Sequence, residues 1–301
     1  MHSFKTFLTT LILLVPGVAA HALEIETAQG LVTIDAAPKT VAVYDIAAVD
    51  TLDKLGVRID GLPSKLYVPE LDRLNGTAKP VGDIFEPDLE ALSTLSPDLI
   101  IVGGRSSPKL SSVSKVARSI DMTMDGDDLL LQAKQRLSAY GALFGRVSEA
   151  RAASAELDQA VEKARQAIAS KGKALIVMTN GPKISAYGAG SRFGWVHNAL
   201  ALPSAVKDVT AATHGEAVSF EFIREANPDW LLVLDRAAAI GSSEQNAKAT
   251  LDNALVAETT AWKKGQVIYL PAADFYIAAG GVQSTHRVLD QITTAFAAAK
   301  R

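Results

Sequence analysis

The sequence predicts an α/β fold of two Rossmann-like lobes joined by a single long backbone helix. One stretch occurs twice: residues 90–105 read EALSTLSPDLIIVGGR and residues 221–236 read EFIREANPDWLLVLDR. Aligned without a gap, they set Glu90 on Glu221, Pro97-Asp98 on Pro228-Asp229, and Arg105 on Arg236. Each copy reads as a short helix stopped by Pro-Asp, an apolar run of buried-strand length, and an Arg just past the strand's C-terminal end. Strands also alternate with helices along the chain, which implies parallel sheets covered on both faces. Between the copies, Val147 to Ser170 is rich in Ala, Glu, Lys and Arg, lacks Gly and Pro, and ends at Gly172. It reads as one rigid helix crossing from lobe to lobe. The expected divisions are a signal peptide at 1–22, a first lobe at 23–146, the connecting helix at 147–171 and a second lobe at 172–301.

The chain has 301 residues, 48% of them hydrophobic, enough for two cores of ordinary size. Its first 22 residues read as a secretory signal, with Lys5 in the n-region, an apolar Leu8 to Val18 and Ala20-His21-Ala22 as the cleavage site. Cleavage is expected before Leu23, with His21 the alternative start. The apolar run is too short to span a bilayer. Losing Lys5 takes the formal net charge from −3 to −4, which argues against a nucleic-acid partner. There is no cysteine, hence no disulfide and no thiol for a lipid anchor. The expectation is a soluble, monomeric periplasmic protein.

In order, Leu23 to Ile34 alternates as a pair of short edge strands. Thr40 to Tyr44 is a buried strand, Ile46 to Leu55 a helix closed by Gly56, and Ile59 to Pro63 a strand and turn. Val81-Gly82-Asp83 is a strand end, and Asp88 caps the helix of the first copy. Lys109 to Ile120 and Asp127 to Phe144 are expected to be helical. Ala174 to Met178 opens the second lobe, Ser185 to Gly194 is a Gly-rich loop, and Trp195 to Leu202 a helix. Gly265 to Leu270 is a strand, Asp274 to Gly281 a loop, and Ser284 to Lys300 the terminal helix.

In open α/β sheets, ligands sit beyond the strands' C-terminal ends. Arg105 and Arg236 fall there, and Arg192 sits in a Gly-flanked loop that leaves its guanidinium accessible. A planar, permanently charged guanidinium suits anionic oxygens on a flat ligand. His214, in Thr213-His214-Gly215, and Tyr276, in an aromatic pair before Gly280-Gly281, lie on predicted loops at the same edge of lobe two. His197 and His286 fall on helices and read as structural. Glu90 and Glu221 each begin a helix at the same place in their lobes, so the pair should share an exposed face. Gly188, Gly190 and Gly194 are spaced one residue too long for a dinucleotide loop, and no hydrolase, zincin or Walker signature is present. Binding rather than catalysis is the expectation.

The motifs SRFG (Ser191 to Gly194), THG (Thr213 to Gly215), VLDR (Val233 to Arg236), LDNALV (Leu251 to Val256) and FYIAAGG (Phe275 to Gly281) carry a resemblance. Across the whole mature chain, the sequence resembles periplasmic substrate-binding proteins of ABC importers for iron–siderophore complexes. It is most similar to the catecholate branch, which includes the petrobactin, enterobactin and anguibactin binders. The resemblance implies a periplasmic binding protein of the helical-backbone type, with no intrinsic cofactor. It implies that Arg105, Arg192 and Arg236 surround anionic catecholates. His214 and Tyr276 would complete the iron coordination of a tetradentate siderophore, while Glu90 and Glu221 dock the lobes onto an inner-membrane ABC permease. Many relatives carry a lipid-anchoring cysteine that this chain lacks.

The chemistry agrees. Ferric iron is hard, prefers oxygen ligands and takes six of them. Two catecholates supply four oxygens, leaving two positions for a phenolate and an imidazole, and the complex is an anion that arginines favour. Haem or another iron chelate on the same scaffold is the alternative ligand, since Tyr and His both ligate haem iron. A periplasmic siderophore esterase using His214 as base is the enzymatic alternative.

Overall fold

A computed structural model describes residues 22–124, 128–207, 209 and 215–299. The predicted signal residues 1–21, and His214, lie outside them. The chain opens with an antiparallel hairpin, β1 (Leu23–Thr27) on β2 (Gly30–Ile34). Lobe one continues through β3 (Val41–Val43), α1 (Ile46–Lys54), β4 (Gly61–Leu62), β5 (Lys79–Pro80), α2 (Leu89–Leu95), β6 (Leu99–Val102), α3 (Leu110–Val113), β7 (Ser119–Asp121) and α4 (Leu129–Leu143). The long α5 (Val147–Ile168) leads to lobe two. There follow β8 (Ala174–Asn180), β9 (Lys183–Tyr187), α6 (Trp195–Leu200), β10 (Glu216–Val218), α7 (Phe220–Ala226), β11 (Trp230–Asp235) and α8 (Arg236–Ile240). The chain ends with α9 (Ala247–Leu251), α10 (Ala254–Ala257), α11 (Thr260–Lys263), β12 (Val267–Tyr269), α12 (Ala272–Tyr276) and α13 (Val282–Ala298).

Lobe one is a parallel sheet in the order β5-β4-β3-β6-β7. Its central strands β3 and β6 are apolar throughout because both faces are covered. Val41, Val43, Leu99 and Ile101 pack into one cluster, and Ala42, Ile100 and Val102 into another. Lobe two's sheet runs β10-β9-β8-β11-β12 and corrects the expectation of parallel strands alone. Here β8, β11 and β12 are parallel, while β9 is antiparallel to both its neighbours. Gly181 and Pro182 turn the chain straight back, so Ser185 to Tyr187 is strand and the Gly-rich loop starts only at Gly188. Two other expectations change. Ser119 and Ile120 are strand rather than helix, paired to β6. Asp274 to Tyr276, expected to open a loop, instead close the short helix α12 (Ala272–Tyr276).

The repeated Pro-Asp has the same job in each lobe. The helices end in left-handed residues, Ser96 (φ 50°) and Asn227 (φ 37°). The following Asp reaches back to the start of the neighbouring strand. Asp98 Oδ2 accepts from the N–H groups of Lys39 and Thr40 at 2.8 and 2.9 Å, and Asp229 Oδ2 from that of Lys173 at 2.8 Å. These bonds register β6 on β3 and β11 on β8.

At 1.5 Å per residue, α5 spans about 33 Å. Its buried side chains fall at helical spacing, Ala150 and Ala153 in lobe one's cluster and Leu157, Ala160, Val161, Ala164 and Ile168 in lobe two's. One amphipathic stripe therefore serves both cores. The lobes also meet through the start of α13, where Ile277, Ala278 and Val282 join lobe one's cluster. The wholly buried Asp50 of α1 caps that helix start. Its carboxylate accepts from the N–H of Gln283 at 2.7 Å and the hydroxyl of Ser284 at 2.9 Å, and pairs with Arg287 at 3.2 Å.

Candidate functional site

The loops beyond the strand ends of the two lobes converge on one residue, Tyr276, at the end of α12. Arg105 follows β6 in a 3-10 turn over Gly104–Lys109. Gly103 precedes it, and a side chain there would put its Cβ 2.7 Å from the Asp45 carboxylate. From lobe one, Arg105 lays its guanidinium carbon 4.5 Å from the centre of the Tyr276 ring and donates to the Tyr276 carbonyl at 3.0 Å. From lobe two, Arg192 stands 5.0 Å from the same ring and 3.5 Å from the same carbonyl. Arg236 is the first residue of α8, whose cap Asp235 accepts from Ala238 N–H at 3.0 Å. Its Nε donates to the Tyr276 hydroxyl at 3.4 Å and its Nη1 to Asn180 Oδ1 at 3.0 Å. All three guanidinia thus rest on neutral oxygens. Beneath them lies an aromatic layer in which Phe193 stacks on Phe275 at 4.6 Å and Tyr187 tilts against Phe193 at 4.7 Å.

This crowding shows in the acid–base properties. Burial raises the Tyr276 phenol, but the hydrogen bond from Arg236 and the charge of Arg105 outweigh it and leave the group below its ordinary value. Burial, then the nearby charge of Arg105, lowers Arg192. Burial pushes Tyr187 up to about 12 despite the opposing charge of Arg192.

The structure therefore brings together Arg105, Arg192, Arg236 and Tyr276. His214 lies outside the described residues, but Gly215 is fixed beside the site. It has φ +72°, and a Cβ there would come within 2.7 Å of the Tyr187 ring. Glu90 and Glu221 occupy the first turns of α2 and α7, exposed, behind the side-chain caps Asp88 and Ser219. His197 is buried with Nδ1 2.9 Å from the Leu202 carbonyl oxygen, as a structural histidine should be. Sequence reasoning missed Asn180 and Tyr187. Asn180 ends β8 at the same edge as Arg236, so the strand-end rule that found Arg236 applies to it. Tyr187 ends the antiparallel β9 opposite Ile176, near the start of β8, where that rule does not point. Among the described residues no group of three His, Cys, Asp or Glu is placed to hold a metal ion, and no helix is long and apolar enough to cross a membrane.

The fold and the cleft define a substrate-binding protein, and the comparisons agree: the chain belongs to the periplasmic binding protein family, whose pattern it matches over residues 41–273. It is 33% identical over 259 residues to the petrobactin-binding protein YclQ of Bacillus subtilis, covering 85% of this chain and 81% of that one. It is 32% identical over 277 residues to the ferric-anguibactin-binding protein FatB of Vibrio anguillarum, covering 89% and 85%. The crystal structure of the periplasmic catecholate-siderophore binding protein VctP of Vibrio cholerae superposes with a TM-score of 0.82 at 30% identity, over 91% of this chain and all of that one.

Proposed function

We propose that this protein captures a ferric catecholate siderophore in the cleft between its lobes and delivers it to an inner-membrane ABC permease, binding its cargo without turning it over. The observation that carries this reading is the convergence of Arg105, Arg192 and Arg236 on Tyr276, with one guanidinium from lobe one and two from lobe two. An anion seated there draws the lobes together, and each charge-assisted hydrogen bond stabilises it by roughly 1.5–3 kcal/mol. Tyr276, with its phenol already favoured toward ionisation, supplies one iron ligand where the siderophore leaves positions open. His214, the neighbour of the anchored Gly215, supplies the other. The names of the relatives support iron–siderophore cargo, and the exposed Glu90 and Glu221 suit docking on the permease. In this reading the chain works in the periplasm as a soluble monomer, divided into lobes at 23–146 and 172–301 by the helix region 147–171.

Fluorescence-quench titration of the mature protein with ferric bis-catecholate, ferric tris-catecholate, a ferric hydroxamate and haemin tests this. Catecholates are expected to bind at least a hundredfold more tightly than the other two. Preference for haemin would favour the haem alternative, and release of hydrolysed products from an ester siderophore would favour the esterase.

A further inference from the structure

The geometry points to Lys65 and Tyr67 as a second ligand contact on lobe one, with the Lys65 ammonium as the fourth cation of the cleft. The inference rests on the reading that the cleft takes an anionic ferric catecholate. Lys65 follows β4 at the edge of the sheet from which Arg105 also emerges. Its side chain reaches over to lobe two, where Nζ donates to the Ile240 carbonyl at 2.7 Å. Ile240 is the last residue of α8, the helix that Arg236 begins. The ammonium therefore meets an unpaired helix-end carbonyl at the negative end of that helix. Gly241, left-handed at φ +67°, offers it room, since a Cβ there would stand 3.1 Å from Nζ.

Tyr67 supplies an independent observation. Its backbone is left-handed at φ 66°, a conformation an aromatic residue adopts only at a cost in free energy. Leu66 and Val68, both wholly buried, hold it there, and the half-buried Tyr67 ring packs against lobe one's core with the Lys65 ammonium 4.6 Å from its centre. The Tyr67 hydroxyl feels Arg105 as well: burial and Asp83 raise it while the Arg105 charge opposes them. The pair thus belongs to the arginine cluster's side of the cleft. An ammonium on a flexible stem, held by one neutral carbonyl, can exchange that partner for a catecholate oxygen, which binds it more strongly. The ring offers its face to a catechol. Because the contact is a charge, Lys65 sets a preference among ligands. A ferric tris-catecholate carries three net negative charges and gains more from it than a bis-catecholate carrying one.

The test is the affinity of the mature protein for ferric bis- and tris-catecholate at low and high salt, with Lys65→Met, Lys65→Arg, Tyr67→Leu and Arg236→Met. Lys65 is exposed, so both of its variants should keep the melting temperature of the parent. Lys65→Met is expected to weaken the tris-catecholate about tenfold and the bis-catecholate about threefold, the gap narrowing at high salt. Lys65→Arg should stay within about twofold, and Tyr67→Leu should weaken both ligands alike. Unchanged affinities in Lys65→Met and Tyr67→Leu, with Arg236→Met weakened, would overturn the inference and leave Lys65 a tether between lobes. If Arg236→Met also bound like the parent, the catecholate reading itself would fail.

Discussion

Arg105 of lobe one and Tyr276 of lobe two hold each other twice, by a guanidinium stacked 4.5 Å from the ring centre and by a 3.0 Å hydrogen bond to the tyrosine's carbonyl. The pair joins the lobes at the point where the cargo is expected. Replacing Arg105 by Met therefore removes an interlobe contact and, on the proposed function, a ligand contact with it. The expected result is a ten- to hundredfold loss of affinity for every ferric catecholate, read by fluorescence titration.

Tyr276→Phe separates coordination from packing, since the ring and its contacts with Arg105 and Arg192 remain. A ferric bis-catecholate should lose its tyrosinate-to-iron contribution in the visible spectrum and bind more weakly. A tris-catecholate, whose iron has no open position, should bind nearly as before. An unchanged bis-catecholate spectrum would reduce Tyr276 to a wall of the cleft.

The recurrence of Glu-(x)6-Pro-Asp-(x)6-Arg made both the cleft and the lobe pair legible in the sequence, because strand ends and helix starts follow from local chemistry. Asp98 and Asp229 show why the repeat is physical: each fixes a strand register. What local pattern could not show was long-range pairing. The five-residue β9 returns antiparallel on β8, and nothing in KISAY distinguishes that from loop. The three residues of β7 are too few for a period to emerge. Asp50 looks like any helical carboxylate until α13 arrives 234 residues later to be capped by it.

That cap gives a stability prediction. Arg287 bridges Asp50 at 3.2 Å and Asp274 at 2.6 Å, both buried. Arg287→Met strands two carboxylates and should cost about 3 kcal/mol, a melting-temperature drop of roughly 6–12 °C by calorimetry.

Asp45 gives a pH prediction. Burial pushes its carboxyl up to about 6, with neighbouring Asp121 adding to the shift and backbone hydrogen bonds opposing it. The unfolded chain titrates near the ordinary value of about 3.9. Between those pH values the folded state holds more protons, so this stabilising contribution is full below about 4 and is lost as pH rises through about 6. Asp50 is raised to about 6 in the same way, by burial. The protein should melt several degrees higher at pH 5 than at pH 7. Asp45→Asn, which can still cap α1, should flatten that slope and raise stability at pH 7 by about 1–3 kcal/mol.

Charge reversal of both Glu90 and Glu221 should abolish uptake in cells while leaving the affinity for ferric catecholate unchanged. Lost affinity, or normal uptake, would reject their docking role.

In lobe one α2 starts where β5 ends, and in lobe two α7 starts where β10 ends, so both glutamates ride on the edges from which Arg105 and Arg236 enter the cleft. If the glutamates dock and the arginines bind as proposed, each lobe carries both contacts on the same sheet edge. The separation between Glu90 and Glu221 then behaves like the jaws of a caliper whose opening is set by what lies between the arginines. A receptor with two basic sockets at a fixed spacing would measure that gap directly, and could tell a loaded carrier from an empty one without ever touching the iron.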